Sequence, residues 1–177
     1  MNDDVSPNFP LTLLLMRHAK SDWSDGSVSD HGRSLNKRGQ RDTPRMAQWI
    51  LQQDLLPDCV LSSSSMRTTE TVELLMDSWA DGSPDGEIHT SFNESLYLAS
   101  PETIFQAIVS EGGSASRLLV VAHNPGMSQL ASAMANQSIE MPTAAIAVFG
   151  VGAPNWDSFD SDTALQLTHL IRPKSIS

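Results

Sequence analysis

Three things are scarce in this sequence: cysteine, positive charge and long apolar runs. There is one cysteine, Cys59, and there are 11 lysines and arginines against 21 aspartates and glutamates, for a formal net charge of −10. A single cysteine excludes an internal disulfide framework and any metal site of clustered thiolates, and it suits a reducing compartment. The apolar stretches are of strand length, far short of the ~20 residues that a bilayer-crossing helix needs. The deficit of positive charge argues against nucleic acid or an anionic membrane as partner, because both repel such a surface. The N-terminus carries Asp3 and Asp4 and no basic stretch, so a secretory leader is not expected and the expected location is the cytoplasm. No internal repeat and no interdomain linker interrupts the 177 residues. The chain is therefore read as one domain, 1–177, with the polar, proline-bearing residues 1–10 as a flexible N-terminal tail.

What is present is an ordinary globular balance, 40% hydrophobic and 18% charged, with enough apolar material for a core. Residues 11–16 form an almost unbroken apolar run, short enough for a buried strand. Residues 17–34 are polar and rich in Ser, Asp and Gly, a long loop of the kind that is either functional or disordered. A helix is expected from about Asn36 to about Gln53, with Met46, Trp49 and Ile50 on one face and Pro44 in its first turns or kinking it. Cys59, Val60 and Leu61 read as a second strand. A serine run follows at 62–65, then a helix from about Met66 to Trp79 striped by Val72, Leu75, Met76 and Trp79. A turn is expected at 81–86 and a short strand at 87–90. Ser100 and Pro101 mark another helix start, and Gly112 with Gly113 its end. A third buried strand at 118–122, a turn at 123–126, a helix to about Asn136 and strands at 144–151 and 164–171 complete the chain, with 155–162 read as a surface hairpin loop. Short apolar strands alternating with helices imply an α/β fold, a three-layer α/β/α sandwich with a mainly parallel central sheet.

In such sheets ligands bind beyond the carboxyl ends of the strands. Arg17 and His18 follow the first strand, 62–65 and Arg67 follow the second, and His123 and Asn124 follow the third. Each has a plain structural alternative: a surface ion pair for an arginine, a solvated or capping role for a loop histidine, a helix cap for the serines. Three strand ends that deliver two arginines and two histidines to one sheet edge favour a site.

The local motifs extend this. The stretch Leu14-Leu15-Met16-Arg17-His18-Ala19-Lys20-Ser21 resembles the signature of the histidine phosphatase superfamily, which includes the phosphoglycerate mutases and acid phosphatases. More closely the chain is similar to the SixA group of phosphohistidine phosphatases. Asp30, Arg33, Leu35 and Gly39 match an Asp-x-x-Arg-x-Leu-x-x-x-Gly pattern, and the segment from Ser62 through Arg67 to Thr71 resembles a Ser-x-x-x-Arg-x-x-x-Thr segment. Val121-Ala122-His123-Asn124-Pro125-Gly126 matches the second histidine motif, with Ala122 where glycine is commoner, and Pro142-Thr143-Ala144 and Pro173-Lys174 resemble further features of the group. The likeness spans almost the whole chain, and it implies a phosphoglycerate mutase-like fold.

The resemblance implies that His18 is a nucleophile that takes the phosphoryl group onto one ring nitrogen, while a hydrogen bond fixes the other. A transferring phosphoryl group spreads charge over three oxygens, so positioning and electrostatics dominate. Arg17 and Arg67 offer planar forks of donors for those oxygens. His123, if protonated, adds a third donor and Arg33 a fourth. Asn124, Lys20 and Ser21 are further candidates for lining the pocket. No metal or cofactor is expected. Glu94 and Tyr97 have the spacing of the mutases' Glu-x-x-Tyr acid, and Glu94 is read either as that acid or as an exposed loop carboxylate, with Tyr97 as packing.

His31, His89 and His169 lack a supporting motif, and Asp22, Asp25 and Asp30 fit no cation loop. The expected activity is that of a phosphoric monoester hydrolase or phosphohistidine phosphatase. Its substrate is a phosphorylated protein, a histidine phosphocarrier domain in a phosphorelay, or alternatively a small phosphate ester. A non-catalytic phosphate-binding module is the reading from outside enzymology. A mutase fits less well, because so short a chain lacks the insertions that would form a lid.

Overall fold

The computed structural model describes residues 9–80 and 87–176. The turn expected at 81–86 and residues 1–8 of the expected tail lie outside the described residues. The order of elements is β1 (Leu11–Arg17), α1 (Lys37–Gln52), β2 (Cys59–Ser63), α2 (Met66–Trp79), β3 (His89–Asn93), α3 (Pro101–Glu111), β4 (Arg117–Ala122), α4 (Gly126–Ala135), β5 (Ile146–Val151) and β6 (Leu165–Ile171). The strands form one six-stranded sheet in the order β3-β2-β4-β1-β5-β6. The pairings β3–β2, β2–β4 and β4–β1 are parallel, and β1–β5 and β5–β6 are antiparallel. The sheet is thus mainly parallel.

The period of two along each strand sends alternate side chains to opposite faces. Leu14, Met16, Val60, Leu119 and Val121 pack on one face against Met46 and Ile50 of α1 and Val72, Leu75 and Trp79 of α2. Leu13, Leu15, Leu61, Leu118 and Val120 pack on the other against Ile104 and Ile108 of α3 and Met127 and Leu130 of α4. Two cores divided by one sheet are the three-layer sandwich that the alternating pattern implies. Each fully buried aliphatic side chain contributes about 1.5–3 kcal/mol, and β1 is buried from Leu13 to Met16, so the strand that ends at the site is held firmly.

Several local signals act as expected. Asn36 caps α1, its side chain accepting from Gly39 N–H at 3.0 Å, and Ser65 and Ser100 cap α2 and α3. Pro44 stands inside α1 rather than at its start, which leaves the Gln40 carbonyl without a helical donor. β2 runs on to Ser63, past the apolar residues, because the polar Ser62 and Ser63 still pair with Phe92 and Asn93 of β3. β3 lies at 89–93, further along than the strand expected at 87–90. The loop after β5 does join an antiparallel pair, but it is not confined to the surface. Trp156 and Phe159 are buried, and the Trp156 indole donates to the Ala115 carbonyl at 2.7 Å. Their polar neighbours conceal two core aromatics.

Candidate active site

β2, β4 and β1 lie side by side, with Ser62 beside Val121 and Arg17 beside Ala122. Their carboxyl ends therefore deliver Ser63, His123 and His18 to one rim of the sheet, and the first turn of α2 adds Arg67. The backbone here is tightly fixed. His18 N–H donates to the Ala122 carbonyl at 3.1 Å, and Ala144 N–H donates to the carbonyls of Arg17 and His18, each at 3.1 Å. Ala144 reaches them with a φ of 62°, a left-handed conformation that costs a non-glycine residue energy and tends to occur at functional sites. Two glycines permit close approaches nearby. A Cβ on Gly126 would collide with the Ala99 carbonyl oxygen, and one on Gly39 with that of Lys20.

His18 is 6% exposed and His123 1%. Their rings stand 5.1 Å apart between centroids. His18 Nδ1 is 2.7 Å from the Ala19 carbonyl, which can only accept, so Nδ1 carries the proton and Nε2 the lone pair. Arg67 Nε donates to that Nε2 at 3.3 Å. His123 is oriented in the opposite sense: Arg67 Nη2 donates to its Nδ1 at 3.3 Å, so its Nε2 carries the proton and faces Ser63 Oγ at 2.7 Å. Burial lowers the pKa of both rings to about 3, helped for His18 by Arg67 and Arg17 and for His123 by His18 and Arg67. Both imidazoles are therefore neutral at ordinary pH. In this neutral state His123 Nδ1 accepts from Arg67, so a third donor at that nitrogen requires the ring to gain a proton.

Arg67 is the hub. Besides the two imidazoles, its Nη1 donates to the Asp30 carbonyl at 2.7 Å and its Nη2 to Asp30 Oδ2 at 3.1 Å. The Tyr97 hydroxyl donates to the same carboxylate oxygen, and the Tyr97 ring meets His123 edge-on at 5.4 Å. The Tyr97 hydrogen bond and the Arg67 charge hold the Asp30 carboxyl below its usual pKa. Burial, and then Asp30, push the Tyr97 phenol up. Arg17 Nη1 donates to the Met141 carbonyl at 3.2 Å, while its Nε is buried without a hydrogen-bond partner among the described residues. Burial and the neighbouring Arg67 lower the Arg17 pKa. Two guanidinium groups thus face two neutral imidazoles, with Asp30 as the carboxylate paired to one of them. Such a field favours an anion.

Residues 13–96 match the family described as the histidine phosphatase superfamily, branch 1. An uncharacterized chloroplastic protein of Arabidopsis thaliana is 32% identical over 152 residues, covering 82% of this chain and 68% of its own length. The chain belongs to the histidine phosphatase superfamily. Among solved structures, a protein assigned as the phosphohistidine phosphatase SixA of Agrobacterium tumefaciens superposes with a TM-score of 0.76 at 23% identity, covering 94% of this chain and all of the other. The protein histidine phosphatase SixA complexed with tungstate gives 0.75 at 18% identity, with 94% and 100% covered. At these identities the likeness is one of fold.

The rest of this histidine phosphatase's candidate set is spread more widely. Arg33 lies in the loop before α1, with its guanidinium over the Trp23 ring at 4.1 Å and 3.9 Å from Asp30 Oδ1, so it adjoins Arg67 through a shared carboxylate. Asn124 directs its side chain inward to the scaffold: its amide donates to the Met141 carbonyl at 2.9 Å and its oxygen accepts from Ser128 N and Oγ. Ser21 is buried and accepts from the Trp23 indole at 3.1 Å. Lys20 is half-buried and accepts from Asn36 N–H through its backbone. Glu94 is exposed in a single helical turn and makes no side-chain hydrogen bond or ion pair among the described residues; Tyr97, three residues on, is the member of that pair in contact with the site. His89 and His169 stand elsewhere, at the start of β3 and against Trp49 respectively. His31 stacks edge-on against Tyr97 at 4.8 Å and so belongs to the rim. Asp30, Tyr97, Ser63 and His31 are the additions. The signals for two of them were present: Asp30 opens the Asp-x-x-Arg pattern, and Tyr97 is the sole tyrosine of the chain. Among the described residues no group of three His, Cys, Asp or Glu side chains could hold a metal ion.

Proposed function

We propose that this protein is a phosphatase that passes the phosphoryl group through a covalent phosphohistidine on His18, with the whole chain as one catalytic domain. The observation that carries the reading is the tautomer of His18. The Ala19 carbonyl holds the proton on Nδ1, and the lone pair of Nε2 lies toward the guanidinium of Arg67. With a pKa lowered to about 3, His18 is an unprotonated nucleophile throughout the neutral range. As a phosphoryl group enters, the N–H groups of Arg67 and Arg17 transfer to its oxygens and Nε2 is released to attack phosphorus. The bond to the leaving group breaks as the P–Nε2 bond forms. Water then attacks, the P–Nε2 bond breaks, the lone pair returns to Nε2, and the proton of water leaves with phosphate or to solvent. A dianion beside His123 opposes the effects that keep this ring neutral, so a proton on Nδ1 and a third donor accompany substrate.

The substrate class follows from what lies within reach of the leaving group. Glu94 is exposed and unattached, and Asp30 is ionised and engaged by Arg67 and Tyr97, so neither is a ready proton donor. An alkoxide leaving group needs one. A phosphohistidine ring already protonated on its other nitrogen leaves as neutral imidazole and does not. The reading is therefore a phosphohistidine phosphatase of SixA type that acts on a phosphorylated histidine-carrier protein, with small phosphate esters as the poorer substrates. The single buried thiol, Cys59, fits a reducing compartment such as the cytoplasm. The test is rapid acid quenching with labelled phospho-protein: acid-labile label appears on the wild type and none on His18→Ala. Full activity in His18→Ala would overturn the nucleophile. Faster turnover of an alkyl phosphate than of the phospho-protein would overturn the substrate class.

A further inference from the structure

A groove of about 750 Å³ opens from Arg17 and runs along the segment at 140–142 to Arg172. Of the two arginines and two histidines of the site only Arg17 lines it, so the groove adjoins the phosphoryl position through that guanidinium, and its volume falls in the ~300–1,000 Å³ range of small-molecule sites. Its space beside Arg17 is available to whatever the phosphoryl group departs from.

The groove has a fixed wall. Met141 is 1% exposed. Its N–H donates to Ser128 Oγ at 3.0 Å, and its carbonyl accepts from Asn124 at 2.9 Å and from Arg17 Nη1 at 3.2 Å. Arg172 Nη2 donates to the carbonyl of the preceding residue, Glu140, at 3.2 Å. The two guanidinium groups thus hold carbonyls of consecutive residues. Both guanidinium groups therefore line the same groove, anchored to adjacent residues of one segment. Each has five N–H donors in a planar fork, and for Arg172 one of them is used by the backbone. The exposed Pro142 and Pro125 give apolar surface in the groove. The carboxylate of Glu140, exposed at the same rim, is the one opposing charge among the lining residues.

We propose that this groove is a second anion subsite: Arg172 binds a carboxylate or phosphate carried by the leaving group while Arg17 grips the phosphoryl group undergoing transfer. On the phosphohistidine reading above, on which this rests, that anion is an acidic side chain one helical turn from the phosphohistidine, since residues three or four apart on a helix lie side by side. On a metabolite it is a second acidic group on the same small molecule. Arg172 is a specificity residue and takes no part in the bond changes.

Binding of non-hydrolysable probes tests this without relying on turnover. Calorimetry compares phenylphosphonate with a phenylphosphonate bearing a carboxylate on a short arm, on the wild type, Arg172→Gln, Arg172→Lys and Glu140→Gln. The carboxylate tightens binding to the wild type by about tenfold, equivalent to about 1.4 kcal/mol. Arg172→Gln keeps a donor for the Glu140 carbonyl yet brings the ratio close to one. Arg172→Lys restores part of it, and Glu140→Gln increases it. Equal ratios in the wild type and Arg172→Gln overturn the subsite, whatever the outcome of phosphoenzyme trapping. Turnover of two phosphohistidine peptides, with Glu or Gln one helical turn away, then identifies the source. A preference for Glu that disappears in Arg172→Gln assigns the anion to a protein substrate; no preference, with the phosphonate ratio intact, assigns it to a small molecule.

Discussion

Burying His18 and His123 as neutral rings makes folding stability depend on pH in a direction and amount that follow from the site. Each has a pKa lowered from 6.5 to about 3, with desolvation as the main cause. Between those two values the unfolded chain binds a proton on each ring that the folded chain does not. Stability changes with pH as 2.303RT multiplied by the protons bound in the unfolded state minus those bound in the folded state. That difference is positive, so stability rises with pH and is lost as pH falls through the unfolded value.

From about pH 7.5 to about pH 5 the integrated loss is about 2 kcal/mol per histidine, about 4 kcal/mol for the pair. The figure hardly depends on the folded pKa so long as that lies well below 5. It is a large share of the ~5–15 kcal/mol by which domains are stable. The lowered carboxyl of Asp30 adds its own loss nearer its ordinary value of 3.8, below this window. The measurement is urea unfolding at several pH values for the wild type and for His18→Asn/His123→Asn. The wild type loses about 4 kcal/mol more than the double variant across the window. Parallel lines for the two proteins would refute the neutral, buried state of both rings, and with it the tautomers on which the nucleophile rests.

Three further outcomes are expected. Arg67→Lys keeps a charge but cannot donate in a planar fork to His18, Asp30 and His123 together, so kcat/KM on the phospho-protein falls about 10²–10³-fold with little change in Tm; a loss below about fivefold would contradict the hub assignment. Gly126→Ala sets a Cβ against the Ala99 carbonyl and costs about 3 kcal/mol of stability, measured by thermal unfolding; an unchanged Tm would show that the α4 start yields easily. Glu94→Gln alters turnover of the phospho-protein by less than about twofold, because its carboxylate touches nothing in the site; a tenfold loss at neutral pH would return Glu94 to the role of acid.

The convergence of Arg17, His18, Arg67 and His123 is legible in the chain because each stands directly beyond an apolar strand or at the start of the helix that follows one. A parallel sheet leaves such residues one common edge. Strand neighbours cannot be read in that way: that β4 comes between β1 and β2, bringing His123 beside His18, is a tertiary fact, although the family motifs imply it. Asp30 and Tyr97 are harder, since their contact spans 67 residues and joins two loops that carry no periodic pattern. Asp30 reads as one of three loop aspartates and Tyr97 as packing until the Arg67 guanidinium is found between the carboxylate and the histidines. Asn124, next to His123, lines the groove beside Arg17 while its side-chain amide is held by Met141 and Ser128, because the turn that carries His123 must also hold the segment at 139–142. The same constraint explains Arg172. It lies at the end of β6, next to the Pro173-Lys174 pair, and comes to the groove because β5 and β6 run antiparallel beside β1. Arg17, His18 and His123 are marked by local motifs at strand ends that a parallel sheet brings to one edge; Arg172 also follows a strand, but what it faces is set by where β5 and β6 return the chain, and only the assembled sheet reveals that.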